Sequence, residues 1–171
     1  MKKIIIISIL LIISLNPLYT LAQTDTLPVR MELLKGLESM YVLVELNEEI
    51  KEAGFTNIDM RSDIEQALKN VGIKILDSND LMNTPGSPYL QLSTFGYEMK
   101  TGGYACAILL GLKQDVILER DKEIKGEATT WSALWEITFS KGNMTHLPET
   151  VRSMTSQFAK DYIVANLSKK G

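Results

Sequence analysis

Along residues 129–139 apolar and polar positions alternate with period two. Thr129, Trp131, Ala133, Trp135, Ile137 and Phe139 share one parity, and Thr130, Ser132, Leu134, Glu136 and Thr138 share the other. This alternation predicts a half-buried antiparallel strand with both tryptophans on its buried face. Upstream, Tyr104, Cys106, Ile108, Leu110, Leu112, Val116 and Leu118 again share a parity, interrupted only by Gln114. The other parity passes from Ala105, Ala107 and Gly111 to Lys113, Asp115 and Glu119. A helix here would hold Gly111 in its interior at a cost of about 1 kcal/mol relative to alanine. The stretch therefore reads as a long strand whose charged end leaves the packed layer, followed by a polar hairpin around Gly126. That projecting half is a place to look for a partner.

The remaining pattern supplies the other layers. Met40–Leu46 is a short apolar run bounded by charge, the mark of a central strand. After the charged stretch around Glu48 to Glu52, Thr56 is placed to cap a helix, with Asp59 three residues on. Ile64, Ala67, Leu68 and Val71 give that helix its apolar face, and Gly72 ends it. Ile73–Leu76 reads as a second strand, making a right-handed βαβ unit with parallel strands. Asp77 to Pro88 is rich in turn formers and reads as the longest loop of the chain. Tyr89–Met99 follows as a strand, and Lys100–Gly103 as a turn. Pro148 suits the first turn of a closing helix carrying Val151, Met154, Phe158, Tyr162 and Ala165 on one face, with Lys169 and Lys170 at its negative end. Together these elements predict an α+β two-layer sandwich of order β-α-β-β-β-β-α. Its sheet is mixed but mostly antiparallel, with two helices on one face.

The first residues belong to a different kind of segment. Lys2 and Lys3 precede the apolar run Ile4–Leu15, and Asn16-Pro17 and Thr20-Leu21-Ala22 complete the form of a secretory signal peptide. The run is shorter than the roughly 20 residues that span a bilayer. With no cysteine beside the expected cut after Ala22, the reading is a soluble, exported chain. Residues 1–22 are then the signal, 23–39 a loose N-terminal arm and 40–171 a single domain. Cleavage removes two lysines and no acid, so 18 basic residues fall to 16 against 21 acidic ones, a formal charge near −5. That balance gives no footprint for nucleic acid and no polybasic stripe for anionic lipid. No membrane span is expected in the mature chain.

Little in the inventory points to catalysis. His146 is the only histidine, which excludes multi-histidine metal centres. Cys106, the only cysteine, lies in an apolar run and reads as a small buried hydrophobe rather than a nucleophile. Asp59, Asp63 and Glu65 form a solvated helical face. There is no phosphate-binding glycine loop, nucleophile elbow or dinucleotide fingerprint. No catalytic residue, cofactor or metal is therefore assigned. The candidate contacts for a ligand or partner are Trp131, Trp135 and Tyr97 among the aromatics, and Asp77 and Asp80 in the long loop.

The segments "YVLVEL", "SDIEQALKNVGIKIL", "SPYLQLSTF" and "SQFAKDYIVAN", in this order behind an export signal, resemble small exported bacterial α/β-sandwich proteins of unknown function. In architecture the chain is also similar to envelope-assembly lipoproteins, such as the one that plugs the lipopolysaccharide export barrel, and to the N-terminal domain of TolB. It lacks the lipid-bearing cysteine of the former and the propeller repeats of the latter. Fold alone carries no function over; the export signal, the absent catalytic set and a sheet with unpaired edges that could take a partner strand point instead to a periplasmic or secreted, non-catalytic binding or adaptor module whose partner is another envelope protein. The alternative is a carrier of a small molecule or lipid, or a hydrolase without a recognisable motif, using a cleft beside the tryptophan strand.

Overall fold

The structure, a computed structural model, describes residues 28–167. The expected signal peptide and the closing lysines Lys169 and Lys170 lie outside the described residues. Ten elements follow in order: α1 (Val29–Glu32), β1 (Ser39–Glu45), α2 (Glu48–Glu52), α3 (Asn57–Asn70), β2 (Lys74–Ile75), α4 (Ser78–Asn83), β3 (Tyr89–Glu98), β4 (Tyr104–Leu118), β5 (Asp121–Phe139) and α5 (His146–Leu167). The strands form one sheet in the order β2-β1-β3-β4-β5. Pairings of β1 with β2 and β3 are parallel, and β3-β4-β5 is an antiparallel meander. This is the expected α+β sandwich, with α3 and α5 as the main helices.

Local chemistry sets the ends of α3 as its sequence predicts. Thr56 Oγ1 accepts from Asp59 N at 3.1 Å, and the residue satisfies a helix donor that would otherwise be unpaired. At the other end Gly72 takes φ +88°. Its N–H reaches Lys69 O at 3.0 Å, and Ile73 N reaches Leu68 O at 3.1 Å, the reciprocal pattern of a left-handed helix stop.

All core packing lies on one side of the sheet. Val42, Val44, Leu90, Leu92, Ile108, Leu110 and Leu112 meet Met60, Ile64 and Leu68 of α3 and Val151, Met154 and Phe158 of α5, all buried. Trp131 packs edge-on against Phe158 with ring centroids 5.0 Å apart. Its indole N–H donates to the buried carboxylate of Asp161 at 2.9 Å. Arg30 of α1 approaches the same oxygen at 3.3 Å, which ties the N-terminal helix over this end of the sheet.

Four details differ from the sequence expectations. Residues 28–39 are docked rather than loose: Leu34 is fully buried, and Asn166 accepts from Gly36 N at 2.9 Å while donating to Leu34 O at 3.0 Å. The loop from Asp77 to Pro88 contains α4, because the Asp77 carboxylate accepts from Asn79 N and Asp80 N at 2.8 and 2.7 Å. Short polar residues that favour turns are the same ones that cap helices. The charged stretch after β1 holds α2, with Ile50 fully buried beneath it. Finally, the β4-β5 hairpin turns at Glu119-Arg120, and Gly126 lies within β5 opposite Val116.

Because β3 begins opposite Lys113, the rest of β4 and the first part of β5 continue beyond the sheet as a two-stranded arm, as the charged end of the stretch predicts. Tyr89 anchors its base by donating to Glu127 at 2.6 Å, and Lys113 pairs with the other Glu127 oxygen at 3.3 Å. These two hydrogen bonds, Tyr89 first, lower the Glu127 pKa below the usual carboxylate value.

Candidate binding surface

Among the described residues the helices cover one face of the sheet and leave the other bare. Three rows cross this bare face in register: Phe95, Ala107 and Glu136; Tyr97, Ala105 and Thr138; Ser93, Leu109 and Leu134. Phe95 is 65% exposed, Tyr97 62% and Leu134 62%. The two alanines keep the central strand low between the aromatics of β3 and the side chains of β5. The result is a groove of about 430 Å³ lined by Phe95, Tyr97, Ala105, Ala107, Glu136 and Thr138.

A clamp at the end of β1 sets the aim of the aromatics. Asn47 Oδ1 accepts from Gly96 N at 3.0 Å and from Thr94 Oγ1 at 3.1 Å, and its Nδ2 donates to Gly96 O at 2.7 Å. One side chain thus takes the place of a neighbouring strand beyond Glu45. Gly96 lets β3 pass close under Ile50: a Cβ there would lie 2.6 Å from Ile50 Cδ1 and would force that buried side chain to shift. With Thr94 held inward and Gly96 pressed under α2, the intervening Phe95 and the following Tyr97 project to the bare face by the strand's own alternation.

The five residues singled out in the sequence do not converge. Tyr97 is on the bare face. Trp131 and Trp135 share the helix-side face of β5, as their parity predicts, but Trp131 is only 1% exposed and Trp135 is 41% exposed. Trp131 is enclosed by α5, where Phe158 packs on its ring and Asp161 accepts from its indole N–H. Asp77 caps α4, and Asp80 stands in its first turn. Cys106 is buried, and desolvation pushes its thiol up to about 11, so it stays protonated at neutral pH. His146 Nδ1 lies 3.3 Å from Thr138 O, a local contact. Asp63 pairs with Arg152 at 3.0 Å, and Glu65 with Arg61 at 2.6 Å. Among the described residues no three His, Cys, Asp or Glu side chains converge as a metal-binding group, and no helix is long and apolar enough to cross a membrane.

Sequence reasoning missed Phe95, Leu109 and Leu134. A signal was present: the second parity of β4 carries Ala105, Ala107 and Leu109, and two helices can cover only one side of a five-stranded sheet.

The architecture so defined is an open-faced α+β sandwich. No protein-family model matches the chain, and no curated protein matches it in sequence. Among solved structures it is similar to the PelC dodecamer from Paraburkholderia phytofirmans in two crystal forms. One is 17% identical over 75% of this chain and 89% of that one, with a TM-score of 0.43. The other is 16% identical over 74% and 87%, with a TM-score of 0.42. A minor lipoprotein from Acinetobacter baumannii is 8% identical over 75% of this chain and 93% of that one, with a TM-score of 0.36.

Proposed function

We propose that this is an exported, non-catalytic binding module that holds another envelope protein on the bare face of its sheet. The observation that carries the reading is the groove between Phe95, Tyr97 and the β5 side chains, floored by Ala105 and Ala107. Clustered aromatic side chains at high exposure are energetically costly in a monomer and are the residues that anchor protein interfaces. Glu136 and Thr138 at the groove wall add polar groups suited to the rim of such an interface.

The test places a photo-reactive benzophenone amino acid at Tyr97, or at Lys160 on the helical side, in a host that exports the chain. The reading expects a discrete cross-linked envelope protein from Tyr97 alone, lost when Phe95→Ser is added. Equal products from both positions, or products indifferent to Phe95→Ser, refute it. The groove's volume also falls in the range of small-ligand pockets, roughly 300–1,000 Å³. An apolar metabolite or lipid in place of a protein would appear as cross-linked mass too small for a polypeptide.

A further inference from the structure

We propose that two copies of this chain pair antiparallel along the Trp131–Ile137 segment of β5, around a two-fold axis at Leu134. Among the described residues the segment is the outer edge of the sheet, since β5 is last in the strand order. Edges are normally blunted by lysine, proline, bulges or a covering element. Such devices in β5 lie in the arm and its base, with α1 packed beside the Trp131 end through Arg30 and Asp161. Lys122 and Lys125 lie there, and register shifts fall between Leu112 and Lys113 and between Ile117 and Leu118 of the facing strand. Trp131 to Phe139 has no lysine, proline or bulge, and it exposes Leu134 on one face and Trp135 on the other.

The sequence of the edge fits itself in one register. With Leu134 on the axis, Leu134 meets its own copy, Trp135 lies opposite Ala133, Glu136 opposite Ser132, and Trp131 opposite Ile137. The large indole faces a small residue twice, and each carboxylate faces a hydroxyl that can donate to it. Placing Trp135 on the axis instead opposes two indoles and sets Leu134 against Glu136. Centring on Glu136 opposes two carboxylates, which is destabilising. Centring on Ala133 sets Trp135 against Trp131 and Leu134 against Ser132, so neither indole faces a small residue. An isologous contact of this kind closes after two copies. The two sheets become continuous, the helices stay on the same side, and the two grooves lie side by side on the other. The pairing is independent of which partner fills the groove.

Sedimentation velocity on the full-length chain expressed in a bacterial host reads the assembly directly. The expected result is a two-copy mass that Leu134→Lys converts to one copy with an unchanged circular dichroism spectrum. Leu134 is largely exposed in the single chain, so that substitution leaves the fold intact. A short bis-maleimide is expected to link two copies through Leu134→Cys but not through Thr129→Cys, which the register sets far from its own copy. A wild-type single copy at millimolar concentration, a larger ring, a dimer that survives Leu134→Lys, or equal linking at both positions each overturns the proposal. Loss of the Tyr97 cross-link with the dimer intact would count against the groove reading alone.

Discussion

Replacing Asn47 by alanine removes the clamp that aims the aromatic pair. Three hydrogen bonds to β3 disappear: those to Gly96 N, Gly96 O and Thr94 Oγ1. At about 0.5–1.5 kcal/mol net for each bond, the loss is about 2–4 kcal/mol, with the upper part reflecting backbone groups of Gly96 left half-buried without a partner. For a domain of this size each kcal/mol shifts Tm by roughly 2–4 °C, so a fall of about 5–15 °C is expected. Urea unfolding followed by tryptophan fluorescence gives the free energy, and an unchanged m-value confirms that only stability moved. Glu49→Ala is the control, since Glu49 accepts only from the exposed side of the same amide at 2.6 Å. It is expected to cost less than about 0.5 kcal/mol. Amide exchange at Thr94 to Gly96 should quicken in Asn47→Ala before the rest of the sheet responds. A loss below about 1 kcal/mol, or an equal loss in Glu49→Ala, would mean that β3 holds its end without Asn47, and the account of how the groove is positioned would fail.

Four further outcomes follow from groups described above. Asp161→Ala strands the buried indole N–H of Trp131 and frees Arg30; an unsatisfied buried donor costs about 1–3 kcal/mol, with Asp161→Asn closer to wild type, measurable by thermal melts. Cys106 is expected to resist iodoacetamide at pH 8 in the native state and to react at once in urea, and native reactivity would contradict its burial. Its folded pKa is raised from about 9 to about 11, so its contribution to stability is full below pH 9 and is lost between 9 and 11, and Cys106→Ala should make the fall in stability over that range shallower. Tyr89→Phe should let the Glu127 carboxyl titrate closer to its ordinary range by NMR, since the tyrosine hydroxyl is the main cause of its depression.

The layer arrangement was legible because its signals are periodic. Alternation placed β4 and β5, the three- and four-residue spacing placed α3 and α5, and Thr56 and Gly72 marked the ends of α3 by capping chemistry alone. What escaped was of two kinds. The segments from Glu48 to Glu52 and from Ser78 to Asn83 are too short for a helical period to show, and their stability comes from Ile50 reaching the core and from Asp77 capping. The hairpin turn was drawn to Gly126 because glycine permits any turn, yet the chain turns at Glu119-Arg120, where a two-residue loop fits the pairing of Leu118 with Asp121. The binding surface was half visible. Tyr97 stood out by its aromatic ring, but the groove depends on which side the helices choose and on the rows formed across three strands, and those are properties of pairing rather than of any one segment.

The two-stranded arm separates the tip of the molecule from everything that makes it fold. Beyond the Tyr89-Glu127-Lys113 cluster no third strand among the described residues pairs with it, and Glu119 and Arg120 at its end are exposed. Its tip is therefore a natural port for insertion, where a peptide epitope or a fluorophore can be added without disturbing the core, the groove or the Leu134 axis. A label carried there would sit at the far end of an arm held at its base by the Tyr89-Glu127-Lys113 cluster and by Asp115 N donating to Gly86 O at 2.8 Å, suited to measuring the orientation of the molecule on whatever it binds.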